Sequence, residues 1–400
     1  GLLGVIVKTG FDLVGSVAMV NLAVALVTGA PALANLASLW FARMAHGQSK
    51  TLWVASLMAL TAVSALLLAL MPVSALGLIG LTVFMIIGRL SFAGVITLRA
   101  AIWRANFPRH VRARITGRIA VTYSIIMALT AGGVGLAIEW HAEAWRWLFP
   151  IAGLIGLIAA WRYRRFTVRG HGRLLKQEAA EGSSGSIRWA DVLEVFKRDV
   201  WYRRYMMTMF VFGSGNLMVI ALLVVILTEQ FGMTRLDQVL ITTTIPLLAV
   251  SILTPFWARR LDQAHIFDYR AIHSWAFVLT MLLFLFGSIL MQPWLFWLGA
   301  LAMGAAFAGG KLGWNLGHND FASDGQSTLY MGIHVSLTGV RGLLAPLVGV
   351  GLYQWLQSIE DGLGRYVLIF PFVLTLSGAL IFVTLARLRR RSLAQQVPSV

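Results

Sequence analysis

Three cations stand inside long apolar runs of this chain, where chemistry is least expected: Arg89, Lys311 and Arg341. A guanidinium presents a planar fork that matches a carboxylate or phosphate, and an ammonium presents a compact point charge. Helical spacing groups polar neighbours with two of them. His334, Thr338 and Arg341 fall at i, i+4 and i+7, and so do Lys311, Asn315 and His318, with Trp314 beside the latter set. Thr338 and Asn315 could hydrogen-bond the rest of a solute, and His334 could carry a proton near neutral pH. Asn216 sits mid-run beside Gly213 and Gly215, and Thr242, Thr243 and Thr244 precede Pro246, which predicts a kink. This chemistry holds an anion; it does not break a bond.

Each residue also has a plainer role. Arg89 and Arg341 could satisfy themselves on backbone carbonyls between helices, and Lys311 could snorkel to an interface. Asn216 could be glue between helices. His334 could be a neutral packing histidine, and His318, near a helix end, reads as structural or interfacial. Catalytic patterns are missing: there is no Walker A stretch, no H-E-x-x-H, no clustering of the eight histidines and no cysteine. The reading is therefore not an enzyme, with no cofactor and no metal.

The elements that must position these residues follow from composition. Of 400 residues, 58% are hydrophobic and 12% charged. A soluble chain carries about 25% charged residues, so there is too little polar surface for a water-soluble particle. An all-α polytopic membrane protein is the class left. A spanning helix needs about 20 apolar residues. Eleven such runs occur, at about 13–42, 51–72, 77–103, 116–139, 144–163, 204–228, 237–257, 271–291, 294–318, 328–356 and 366–386. Residues 1–7 read as the end of one more, giving twelve spans with the first as a stub. Arg89 then lies in span 4, Asn216 in span 7, Lys311 in span 10 and Arg341 in span 11. No Asp or Glu falls in the central third of any visible run, so the three cations lack a counter-charge and must face a cavity or partners.

The net charge of +17 does not require nucleic acid. Twenty-six of the 33 Lys and Arg collect at one set of loops and run ends, including Arg270, while only Lys8, Arg146, Arg235 and Arg365 fall on the other. That asymmetry expects the cation-rich side, with the 163–203 connection and the C-terminal tail, in the cytoplasm. The expected location is the cytoplasmic (inner) membrane of a bacterium, as a monomer in the lipid bilayer. The connection contains a polar stretch, Glu178 to Ser186, followed by an amphipathic pattern: Ile187, Ala190, Val192, Leu193, Val195, Phe196 and Val200 oppose Arg188, Lys197 and Arg198.

Six spans, one long connection and six spans resemble the layout of the major facilitator superfamily. The loop after the second span, Phe41-Ala-Arg43-Met-Ala-His-Gly47-Gln-Ser-Lys50, is similar to the family's G-x-x-x-D-R-x-G-R-K stretch without its acid. The segment Pro108 to Gly117 resembles its P-x-x-x-R-x-R-x-x-G stretch, and Trp257 to Asp262 is a degenerate counterpart in the second half. The resemblance implies a 6+6 arrangement: a bundle over 1–163, a linker over 164–203, a second bundle over 204–388 and a tail over 389–400. It also implies secondary transport by alternating access around a central site. The expected solute is a small organic anion held by Arg89, Lys311 and Arg341, with Asn216, Trp314, Asn315 and Thr338 as further contacts and His334 as the candidate for proton coupling. A neutral or drug-like solute with structural cations remains open, as does a transporter-like receptor or assembly factor.

Overall fold

The computed structural model describes residues 1–107, 109–172, 175–176, 189–322 and 327–396. The polar stretch Glu178–Ser186 and the first residues of the amphipathic pattern lie outside them. The described residues are helical almost throughout. In chain order the helices are α1 (Leu2–Gly10), α2 (Val17–Leu33), α3 (Ser38–Met44), α4 (Lys50–Ala69), α5 (Ala75–Asn106), α6 (Arg109–Trp140) and α7 (Trp145–Arg164). After the linker come α8 (Trp189–Arg198), α9 (Val200–Glu229), α10 (Arg235–Val239), α11 (Ile245–Asp262), α12 (Ile266–Ile289), α13 (Pro293–Leu316), α14 (Ser327–Ile359) and α15 (Ile369–Gln396).

Local chemistry sets where these helices begin. Ser16, Ser74, Asp199 and Thr234 each accept from a backbone N–H one turn on, at 2.8 to 3.2 Å, which satisfies donors that a helix start leaves open. Between α10 and α11 the backbone takes a π-helical turn over Leu240–Thr244. Pro246 follows, and its ring removes an i→i−4 bond and crowds the preceding turn. The expected kink is thus a widened turn. Among the described residues, ten helical stretches are long and apolar enough to cross a membrane. The α1 stub is too short to be one of them, and α7, expected as a span over 144–163, carries Arg146, Arg162 and Arg164 at its ends and also falls outside the ten. In α8, Val195 and Phe196 pack on Tyr202 and Tyr205 while Leu193, Lys197 and Arg198 are exposed.

Buried apolar residues form three clusters. One holds residues from both halves of the chain at the cation-poor end, among them Val5 and Val24 with Leu222, Val224 and Ala345. The other two lie toward the cation-rich end. The first-half cluster is built on Phe41, Val54, Val95 and Leu98, and the second-half cluster on Tyr205, Phe212, Phe277 and Phe382. The halves share a core at the cation-poor end, and each has its own toward the other. Small residues permit the join: Gly29 of α2 lies against the carbonyl of Gly342 in α14, and Ala32 lies against Gly342 itself. Close backbone approach of this kind replaces the hydrophobic driving force that lipid does not supply.

The same end is tied by charge. Lys8 of α1 forms an ion pair with Glu229 of α9 and donates to Asn21 Oδ1 at 2.6 Å. Asn21 Nδ2 donates to Glu229 Oε1 at 2.9 Å, and Tyr353 Oη donates to Glu229 Oε2 at 2.7 Å. Lys8 is only 4% exposed. The sequence pattern places Lys8 at a loop or run end on the cation-poor side; the helix continues to Gly10, and Lys8 is turned inward.

Candidate functional site

A cavity of about 380 Å³ lies among helices of the second half, with α6 of the first half on one side. Its wall includes Tyr123 and Ser124 of α6, Asn216 and Leu217 of α9, Leu247 and Val250 of α11, and Gly310, Lys311 and Trp314 of α13. Thr338 and Arg341 of α14 and Arg270 of α12 complete its polar side. Tyr123 and Lys311 on its wall are exposed. Most other wall residues are apolar, with Met209, Phe212, Phe277 and Phe307 prominent.

Arg341 is 2% exposed and held from two sides. Nη2 donates to Thr338 Oγ1 at 2.8 Å, and Nη1 donates to the Met209 carbonyl. Thr338 is a hub: its hydroxyl also accepts from Trp314 Nε1 at 3.0 Å while donating to the His334 carbonyl at 2.8 Å. Hydrogen bonds to a charged group contribute about 1.5–3 kcal/mol each, enough to offset a mid-membrane Arg that costs about 2.5–3.5 kcal/mol on insertion scales. Arg341 Nε has no partner among the described residues. Gly213 leaves room for the Arg341 guanidinium, because a Cβ there would force it to move.

Arg270 corrects the sequence reading. An apolar run beginning at 271 leaves it among the loop cations of the cation-rich side. The helix starts five residues earlier, capped by His265, which places Arg270 in its second turn. There it is 1% exposed and lines the cavity. Its Nη1 lies 3.5 Å from His273 Nδ1, and its Nε and Nη2 have no partner among the described residues. His273 Nε2 faces the Ala306 carbonyl at 2.9 Å. A carbonyl only accepts, so Nε2 carries the hydrogen and the Nδ1 lone pair is turned to Arg270. The signal that could have found Arg270 was the helix start: His265 as cap, Asp268 in the first turn, and then Arg270 and His273 three apart.

The expected site residues divide. Lys311, Arg341, Asn216, Trp314 and Thr338 share the wall. The Asn216 Oδ1 is buried and has no partner among the described residues. Arg89 does not share it. It lines a neighbouring cavity of about 170 Å³ with Thr28, Pro31, Met127, Thr130 and Thr243. Helix α6 separates the two: Tyr123 and Ser124 face one, Met127 and Thr130 the other. Asn315 is exposed, absent from the wall, and its amide donates to the Lys311 carbonyl at 2.7 Å. His334 is fully buried behind the wall, its ring 5.5 Å from that of Trp314 and 6.1 Å from that of Tyr205. Neither of its ring nitrogens has a partner among the described residues. His318 is buried at the end of α13 and is also off the wall. Among the described residues no group of His, Asp and Glu could hold a metal ion.

Comparison with known proteins agrees with this architecture. The family model described as Major Facilitator Superfamily matches residues 1–310. No curated protein sequence matches the chain. Among solved structures, a point mutant of the nucleoside transporter NupG superposes with a TM-score of 0.70 at 13% identity, covering 96% of this chain and 98% of that one. The xylose transporter XylE from E. coli, in a partially occluded inward-open conformation, gives 0.66 at 12% identity, with 95% and 92% covered. The human organic anion transporter MFSD10 (TETRAN) gives 0.56 at 17% identity, with 94% and 89% covered. At these identities the likeness is one of fold.

Proposed function

The chain belongs to the major facilitator superfamily, and from that premise we propose that it moves a small organic anion across the membrane by alternating access. As a member of that family it is an integral membrane protein and a secondary transporter. The solute is our inference. One observation carries it: the cavity wall holds Arg270, Lys311 and Arg341 and no Asp or Glu. A low-dielectric cleft lined by one sign of charge concentrates the opposite sign. The partly apolar wall suits a solute with a hydrocarbon body, and Asn216, Trp314 and Thr338 provide neutral contacts.

In this reading residues 1–163 and 204–388 are the two rocking bundles, 164–203 connects them and 389–400 is a tail. The cation-rich end faces the cytoplasm, and the cavity opens there. Arg341 and Lys311 bind the anion. Arg89 adds positive potential from across α6 instead of touching the solute. Asn315 and His334 leave the binding set, because one is tied to its own helix and the other is sealed behind Trp314.

The test is counterflow of radiolabelled organic acids in proteoliposomes, with Arg341→Gln and Lys311→Gln beside the parent. Saturable anion uptake by the parent and its loss in Arg341→Gln is the expected result. Uptake confined to neutral solutes, or full anion activity in both variants, would overturn the proposal.

A further inference from the structure

Arg270 and Arg341 are neighbours on one wall. The Arg270 guanidinium lies on Gly313, where an added Cβ would stand 2.9 Å from Nη2 and 3.0 Å from Cζ. The next residue, Trp314, is joined to Arg341 through the Thr338 hydroxyl. Tyr205 of α9 packs at the same place, its hydroxyl 3.4 Å from the Gly313 carbonyl. Two cations at nine-tenths burial or more repel one another, and no carboxylate lines the wall to relieve them.

Their hydrogen-bonding capacity is unequal. Arg341 donates one N–H of Nη1 to the Met209 carbonyl and one of Nη2 to Thr338, and its Nε has no partner among the described residues. Arg270 Nε and Nη2 are buried without a geometric hydrogen-bond partner among the described residues, and they form the edge of the fork that grips two oxygens at once. Buried N–H groups of a cation left unmatched are costly, more so than neutral ones. A solute that meets both guanidiniums recovers that cost, and one that meets a single guanidinium does not.

We propose that Arg270 and Arg341 form a double-guanidinium site that selects a dianion, with Arg270 as the bidentate receiver and Arg341 as the fixed second charge. This deepens the anion reading above and rests on it. The shared chemistry is two negative charges within one small body, from either a single phosphate ester or two carboxylates. Lys311, exposed on the same wall, adds a further positive charge. The aromatic side chains Phe212, Phe277, Phe307 and Trp314 leave room for a flat body beside the charges.

The experiment is calorimetric binding to the purified full chain at pH 7.5 with matched probes: benzamide, benzoate, phthalate and phenyl phosphate. At that pH a phosphate monoester carries a charge between −1.5 and −2, its second pKa being about 6. The parent is expected to bind phthalate, phenyl phosphate or both at least about ten-fold more tightly than benzoate, as an added bidentate charged contact requires. Which probe wins separates the two sources of charge. In Arg270→Gln the dianion-to-benzoate ratio should fall by about ten-fold, and in Arg270→Lys by less, because charge remains while the fork is lost. Gly313→Ala displaces the guanidinium without removing it and should also lower the ratio, so a poorly folding Arg270 variant still leaves a test. Equal binding of benzoate and both dianions by the parent would overturn the dianion site while leaving the anion reading intact. An unchanged ratio in both Arg270→Gln and Gly313→Ala would do the same. Binding of none of the three anions would overturn both.

Discussion

Opening the cation-poor end must pull Lys8 and Asn21 away from Glu229 and Tyr353, since the first two belong to α1 and α2 and the others to α9 and α14. Under the proposed alternating access the ion pair exists only while that end is closed, and weakening it shifts the conformational balance by the energy it contributes. Its side chains are 5% and 19% exposed. Removing one partner of a fully buried pair costs about 3–5 kcal/mol, while a surface pair contributes about 0–1 kcal/mol. Partial exposure of Glu229 puts Glu229→Gln between these limits, at about 2 kcal/mol. The amide keeps the shape and still accepts from Asn21, so the loss is the charge attraction. At 1.4 kcal/mol per factor of ten, the open state should gain about 30-fold. The chain has no cysteine, so one introduced thiol is a unique reporter. Val24 is fully buried, one turn deeper than Asn21 on α2. Val24→Cys should react with a membrane-impermeant maleimide from the cation-poor side about 30-fold faster once Glu229→Gln is added. Replacing both partners, Lys8→Met with Glu229→Met, leaves no stranded charge and should restore slow labelling. An unchanged rate in Glu229→Gln, or equal acceleration in the double replacement, would refute this account of the gate.

Other consequences follow from the same contacts. Gly213→Ala places a methyl group on the Arg341 guanidinium; overpacking of about 1–3 kcal/mol should weaken anion binding by roughly ten-fold, read by titration calorimetry. His334→Gln should leave the pH profile of transport unchanged between about pH 5.5 and 8, because the ring is sealed from the cavity, and a flattened profile would restore it as a coupling residue. His265 caps α12 at the cation-rich end, and burial there holds its pKa below the usual 6.5, with Asp320 and Asp268 opposing the shift and Arg389 adding to it. A lowered folded pKa means the unfolded chain takes up the proton first, so the stabilisation present above pH 6.5 declines as pH falls below it. The melting temperature in detergent should drop across that window, and His265→Asn, which keeps a capping side chain, should flatten the drop.

Much of this protein is written in one dimension. Membrane insertion, the succession of helices and the asymmetry of Lys and Arg all follow from local composition, because a bilayer demands about 20 apolar residues per crossing whatever surrounds them. The facing of Thr338 and Arg341 followed in the same way, since 3.6 residues per turn puts i and i+3 on one side of a helix. That same rule grouped His334 with them, yet the ring is turned behind Trp314 and out of the cavity. Helical spacing assigns a side chain to a face but does not say what packs on that face. Arg89 illustrates the same boundary: its depth was legible, but α6 stands between it and Arg341, and only the packing of α6 against α11 decides that. Arg270 and Lys8 lay beyond reach for a different reason. Both sit within one or two turns of a helix end, where hydropathy cannot distinguish a cation turned to water from one turned inward. Both meet groups distant in sequence: Glu229 for Lys8, and the Gly313 backbone for Arg270. Periodicity carries no record of such pairings, because the energy that holds a charge inside comes from the groups that meet it in three dimensions.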